Sequence, residues 1–361
     1  MLKNIAFLVS SAATGGGIQK SLSLISKALN NEKFSVTIIS LFDYEEIKYD
    51  FGPKTTFLKG SLKGNVDLKK VFFKTYFQCK RLLSSAHFDT LVIEGLGLVP
   101  FIPTKFLKDK SLKVVVRDHT GMSNYSRYGL SWLGLKQTMK YSDRFVVLTE
   151  ENEREYAEIF NGEKNKIKTI PNALDPNIIN SPYNNNSKKI LYVGRLSYEK
   201  GADLLVESFG KALDLINDDE WQLDIYGSGP EMDNIQKQIS QQNLNTRINL
   251  KGYNRNIYST YKEYSFLVVP SRFESFGLIM LEALKVGIPV IAFDCNYGPR
   301  SIIRDKENGL LVPQNDINEF SKAISKLILN KDLRISLSNN TNTYLDKYNY
   351  RNVISEWETL L

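Results

Sequence analysis

Two Rossmann-like α/β domains in tandem, facing each other across a cleft, are what this sequence predicts, and three observations carry the prediction. Short apolar runs alternate with helix-like or polar segments, and the alternation restarts after a polar stretch near the middle of the chain. The length of 361 residues also exceeds the roughly 250–300 at which a single core stops growing. Such alternation gives right-handed strand–helix–strand units and mostly parallel sheets covered on both faces. The predicted division is residues 1–176, a linker at 177–187, a second domain at 188–340, and a C-terminal helix at 341–361 packing back on the first domain.

Asn4 to Ser10 (NIAFLVS) reads as a buried strand and SAATGGG as a tight loop. Gln19 to Asn30 reads as a helix, because Leu22, Ile25 and Leu29 recur at helical spacing. Further strands are expected at Val36 to Leu41, Thr90 to Ile93, Lys113 to Val116, Phe145 to Leu148 and Lys168 to Ile170. Pro182 and three consecutive Asn in NIINSPYNNNSKK mark the linker. The second series comprises Ile190 to Val193, Gln222 to Tyr226, Arg247 to Leu250, Phe266 to Val269, Pro289 to Phe293 and Leu310 to Val312. In the tail, Val353, Trp357 and Leu360 form one apolar helical face that must pack on something.

Composition narrows the function classes. With 42% hydrophobic residues the chain can offset its ordering entropy, so global disorder is excluded. No apolar stretch approaches the ~18 residues of a spanning helix, and the N-terminus lacks the flank and core of a secretory signal. Cys79 and Cys295 are far apart with no metal-ligand spacing, which argues against a disulfide scaffold or structural zinc and for a reducing, cytoplasmic compartment. The formal charge of +7 is uneven: residues 1–180 hold 26 Lys and Arg against 18 Asp and Glu, and residues 181–361 hold 21 against 22. An anionic partner is expected at the first half.

The chemistry-bearing residues lie mostly at strand ends. Gly15, Gly16 and Gly17 follow a strand and open a helix, so they are either a phosphate-approaching loop or a sharp turn. EGLG at Glu94 to Gly97 and GSGP at Gly227 to Pro230 are weaker signals of the same kind. In VGRLSYEKG, Arg195 and Lys200 flank a turn at a parallel-strand carboxyl end, a receptor for a diphosphate. The sharpest signal is PSRFESFGLIMLEALKVGIPVIA. There Glu274 sits in a loop, a helix starts near Phe276, and Glu282 lies within its first two turns. Carboxylates accept hydrogen bonds from vicinal hydroxyls, and the amides of Gly277 and Leu278 at the helix start suit a phosphate. Of the two histidines, His87 reads as a surface residue, whereas His119, in VVVRDHTG, follows a strand at its carboxyl end.

These residues resemble a family. Glu274-x7-Glu282 within SRFESFGLIMLEAL, preceded by VGRLSYEKG and followed by GIPVIAFD, GPRSIIRD and NGLLVPQND, is similar to the donor domain of glycosyltransferase family 4, retaining enzymes of the GT-B fold. The similarity is near-continuous from about Ile190 to Ile328, and rests in the first half on the glycine loop, RDHTG and IPNALD. The resemblance implies that Glu282 binds ribose hydroxyls and Glu274 the transferred sugar, with Phe276, Gly277 and Leu278 completing the cradle. It implies that Gly194, Arg195 and Lys200 hold the diphosphate, and that Gly252 and Tyr253 face the nucleobase. Gly16 and Gly17 would approach the donor from across the cleft, and His119 would lie by the transferred sugar, contacting it and stabilising charge.

No DxD triplet occurs, so no metal and no cofactor is expected, the nucleotide sugar being a substrate. Two carboxylates also suit a hydrolase, but both sit beside a phosphate cradle. Leu62 to Leu83 interleaves Lys69, Lys70, Lys74, Lys80 and Arg81 with Phe73, Phe77 and other apolar residues, suiting either an anionic membrane surface or a core-facing helix with a basic edge. No nucleic-acid motif accompanies the charge. The expectation is a transferase moving a hexose or N-acetylhexosamine, from a UDP sugar by preference, to a saccharide or lipid-linked saccharide in cell-envelope or polysaccharide assembly. The rivals are a nucleotide-sugar epimerase and a non-catalytic sugar or anionic-lipid binding protein.

Overall fold

In the computed structural model, which describes residues 2–63, 66–159, 164–216, 218 and 220–361, the chain divides into two compact units. The first runs to Ala173 and includes Tyr350–Leu361; the second is Leu174–Asn349.

The first unit is built on β1 (Lys3–Val9), β2 (Phe34–Phe42), β3 (Thr56–Leu62), β4 (Thr90–Glu94), β5 (Lys113–Arg117), β6 (Arg144–Val147) and β7 (Ile167–Thr169). All pairings are parallel, in the order β3-β2-β1-β4-β5-β6-β7. Central strands such as β4 (TLVIE) are buried on both faces, which is why they read as continuous apolar runs. β3 (TFLKGSL) was not expected: as an edge strand it is half exposed and carries Lys59 and Gly60, so it lacks that signature.

The terminal helix, Tyr350–Leu360, belongs to this unit. Val353, Ile354, Trp357 and Leu360 are buried on it, with Trp357 edge-on to Phe7 at 6.3 Å. Lys3 and Lys113 donate to the carbonyls of Leu361 and Leu360, satisfying helix-end acceptors. The expected segment 341–361 is therefore corrected. Its first nine residues stay with the second unit, where Tyr348 packs against Phe276 at 5.7 Å and donates to the Ser301 carbonyl at 2.6 Å.

The second unit holds β8 (Lys189–Val193), β9 (Gln222–Tyr226), β10 (Ile248–Gly252), β11 (Phe266–Val269), β12 (Val290–Phe293) and β13 (Gly309–Val312), all parallel, in the order β10-β9-β8-β11-β12-β13. Residues 177–187, expected to be a linker, are stitched to this unit: Ser181 donates to the Val286 carbonyl, Tyr183 to that of Ser265 and Ser187 to that of Glu263. The Asn- and Pro-rich composition marks a non-regular path, and side-chain hydrogen bonds hold that path in place.

Strand order locates the sites. In the first sheet the chain reverses direction of growth between β1 and β4, and in the second between β8 and β11. Open parallel sheets bind ligands outside the strand carboxyl ends at such reversals, because the loops on either side diverge there.

Candidate functional site

At the reversal of the second sheet, the loop after β8 carries Gly194, Arg195 and Lys200, and the loop after β11 carries Ser271 to Gly277. Lys200 Nζ donates to Glu274 Oε2 at 2.6 Å, with the Ser271 hydroxyl 3.4 Å from the same oxygen. Glu274 is nearly buried and Lys200 partly so, while Arg195 is exposed and has no ion pair among the described residues. The two loops thus bring a cation and a carboxylate together and leave a second cation at the rim.

Their spacing is enforced by residues that the sequence did not flag. Arg272 forms two bonds to Asp203, at 2.8 and 2.5 Å, donates to the Tyr198 carbonyl at 2.7 Å, and lies 4.1 Å over the Tyr198 ring. The Arg272 and Phe273 amides donate to the Glu199 carbonyl. Buried Tyr192 reaches the carbonyls of both Arg195 and Lys200 at 3.4 Å, and burial pushes its phenol pKa up. Gly201 adopts φ +66°, and a Cβ there would stand 1.9 Å from the Pro270 carbonyl oxygen, so only glycine lets the loops approach this closely.

The helix opens at Leu278, two residues later than expected, with Gly277 as its N-cap, and runs to Val286. Its first amides lack intrahelical partners and form the positive end of the dipole. The Phe276 side chain is core, so only its backbone faces this start. Glu282 is also buried; the hydroxyls of Tyr258 and Tyr261 approach its two oxygens at 3.4 and 3.3 Å. Burial, and then the Glu282 charge, raise the Tyr261 pKa well above its usual range. Tyr253, just past β10, is about half exposed. Tyr297, after β12, is buried at φ +79° and pairs by backbone with Glu274, a strained bulky residue beside the cluster.

GSGP serves packing. The Leu196 amide donates to the Ser228 carbonyl at 3.0 Å and the Glu231 amide returns a bond to the Leu196 carbonyl at 2.9 Å, bracing the Arg195 loop from behind.

In the first unit, Gly16 caps and Gly17 begins the helix Gly17–Leu29. A Cβ at Gly16 would meet only Gln19 Oε1, at 3.2 Å, so packing alone does not demand glycine there. His119 lies two residues beyond β5 and its Nε2 is hydrogen-bonded to Glu94 Oε2. Arg117 Nη1 stands 3.7 Å from that same oxygen. Burial pushes the Glu94 carboxyl up, but Arg117 and His119 outweigh it and hold the group below its usual value. Of EGLG, then, Glu94 is the functional candidate. His87 is exposed, 3.4 Å from Asp89.

The basic segment separates into two faces. Residues 64 and 65 of the 62–83 stretch lie outside those described, and the helix itself is Phe72–Leu83. One side is core: Thr75, Gln78, Cys79, Leu82 and Leu83 face inward, and Phe72 packs on Phe101 at 4.9 Å. Phe73 and Phe77 are 76% and 61% exposed, beside exposed Lys69, Lys70, Lys74, Lys80 and Arg81. Among the described residues no helix is long and apolar enough to cross a membrane, and no group of three or more acidic, His or Cys side chains could hold a metal.

Known proteins match this chain over both units. Residues 15–178 match the family described as Glycosyltransferase Family 4, and residues 176–344 match Glycosyl transferases group 1. An uncharacterized glycosyltransferase of Haemophilus influenzae is 26% identical, over 100% of each chain. The poly(ribitol-phosphate) alpha-N-acetylglucosaminyltransferase of Staphylococcus aureus is 28% identical over 74% of this chain, which spans 58% of that relative's length. Among solved structures, the S. aureus TarM G117R mutant in complex with fondaparinux, alpha-GlcNAc-glycerol and UDP superposes with a TM-score of 0.83 at 19% identity, covering 99% of each chain. The fold is the GT-B arrangement of two parallel-sheet α/β domains.

Proposed function

Because this chain belongs to glycosyltransferase family 4, we propose that it moves a hexose or N-acetylhexosamine from a UDP sugar to a saccharide or polyol-phosphate acceptor of the cell envelope, retaining anomeric configuration and needing no metal. The observation that carries this reading is the Lys200–Glu274 pair at the reversal between β8 and β11, beside the open start of the helix Leu278–Val286.

Breaking a sugar–phosphate bond builds positive charge at the anomeric carbon and negative charge on the departing diphosphate. In this reading Lys200, exposed Arg195 and the amides at Gly277 and Leu278 meet that negative charge, as preorganised electrostatic stabilisation. Glu274, oriented by Lys200, accepts from the hydroxyls of the transferred sugar, and Glu282 from those of the ribose, with Tyr253 beside the base. His119 contributes contact and charge at the sugar. The names of the S. aureus relatives, which pair UDP and N-acetylglucosamine with polyol acceptors, support this donor and acceptor class.

The Phe73 and Phe77 face, with its five cations, then rests on the cytoplasmic side of an anionic bilayer where a lipid-linked acceptor is presented. Flotation with anionic vesicles, and its loss in Phe73→Ser/Phe77→Ser, tests that placement; no flotation of the wild type refutes it.

Transfer itself is tested by incubating the protein with UDP-N-acetylglucosamine or UDP-glucose and a polyol-phosphate acceptor, with EDTA present, and following UDP release and product linkage. The reading expects an α-linked product that disappears in Lys200→Ala and Glu282→Ala while both variants remain folded. Full activity in either variant removes that residue from the site, and a free sugar-nucleotide isomer formed without acceptor makes the protein an epimerase.

A further inference from the structure

Two fully buried ionic side chains stand in the first unit, apart from the residues assigned above to the donor. Glu94 and Arg117 end β4 and β5 and face each other in parallel register. Burying such a pair is favourable only when its remaining lone pairs and protons are used. Here they are not. The ion-pair contact is a single one at 3.7 Å, and Glu94 Oε1 and Arg117 Nε and Nη1 have no hydrogen-bond partner among the described residues. A pair serving stability alone would be expected in the two-pronged form. Glu94 instead accepts its close hydrogen bond from Nε2 of His119.

The surroundings hold this arrangement from both sides. Arg117 donates to Ser21 Oγ at 3.0 Å and Asn172 Oδ1 at 2.7 Å, and its guanidinium lies 5.1 Å from the ring centre of Trp357 on the terminal helix. On the other side of His119, buried Asp118 accepts from the amides of Thr120 and Gly121, at 3.2 and 2.9 Å, and from the hydroxyls of Tyr125 and Tyr156. The backbone that carries the imidazole is thereby fixed before any ligand arrives.

The geometry points to Glu94 as the positioning residue for His119: with Arg117 beside it, its carboxylate accepts a hydrogen bond from Nε2–H, fixes the tautomer, and steadies positive charge on the ring. Only Nδ1 is then left for a substrate, as an acceptor when the ring is neutral and as a donor when it is protonated. This assignment rests on the reading that His119 stands at the transferred sugar.

Two measurements on the full chain test it. The chain has only two histidines, so imidazole ¹⁵N NMR of the wild type without ligands resolves His119, with exposed His87 as internal control. A neutral Nε2–H tautomer at His119 is expected, and an Nδ1–H tautomer overturns the proposal whether or not the protein proves to be a transferase. In Glu94→Gln the expected result is a fall in kcat of about a hundredfold with donor KM within about twofold. An unchanged kcat, or a loss confined to KM, overturns it. Should that variant not fold, the wild-type tautomer still decides. Wild-type activity in His119→Gln would instead remove His119 from the reaction and leave the tautomer result standing.

Discussion

Arg272 grips Asp203 with two hydrogen bonds, at 2.8 and 2.5 Å, tying the loop after β11 to the helix that follows the loop after β8. Burial pushes the Asp203 carboxyl up, yet the Arg272 bonds outweigh it and hold the group below its usual value. A carboxyl lowered in the folded state contributes stability that is complete above its unfolded pKa, near 4, and is lost as pH falls through the folded value. Because the Asp203 side chain is 41% exposed, solvent screening limits the contribution to about 1 kcal/mol. Arg272→Ala should therefore be less stable than wild type by at least about that amount at neutral pH, with the gap narrowing below about pH 4 to the part owed to the Tyr198 contacts. Denaturant melts across pH check this; a gap that does not narrow in acid contradicts it.

Gly201 couples the same loops by steric means. Alanine there places Cβ 1.9 Å from the Pro270 carbonyl and forces a left-handed conformation on a non-glycine residue. Gly201→Ala should lower the melting temperature and reduce turnover at least tenfold, roughly the effect of one misplaced stabilising group. A variant with wild-type melting and turnover would show that the loop separation is not critical.

Cys79 and Cys295 are buried and their thiol pKa values are pushed up to about 12, by burial in both cases and by the Glu274 charge as a second cause at Cys295. Since the thiolate is the reactive form, neither should react with a disulfide reagent in the native state at pH 8, and both should react on unfolding. Saturating nucleotide should slow the exposure of Cys295 by stabilising the unit that contains it. Rapid native labelling of either thiol would contradict the packing described.

What could be read from sequence follows from what is local. β8 and β11 were legible because both faces of each are buried, and the Lys200 and Glu274 loops because each follows such a strand. The edge strand β3 was not, since it alternates weakly and bears a lysine. The Arg272–Asp203 pair spans 69 positions and the Glu94–His119 contact 25, and no periodicity encodes contacts of that separation. Glu94 was noticed only within a Gly-x-Gly signal that belongs to a turn. The place of Glu282 on a helix was legible, but its enclosure by Tyr258 and Tyr261 depends on how the segment Ile257–Glu263 folds against the helix Leu278–Val286. The linker was misread because Asn- and Pro-rich composition reports irregular backbone and says nothing of how side chains such as Tyr183 and Ser187 anchor it.

Calorimetric titration of UDP into the wild-type protein and into Lys200→Ala and Glu282→Ala tests the central claim most directly. The account predicts one site per chain in the wild type and affinity weakened by about 2–5 kcal/mol in each variant, as when one partner of a buried charged contact is removed. Absence of UDP binding in the wild type, or equal affinity in all three proteins, would contradict it.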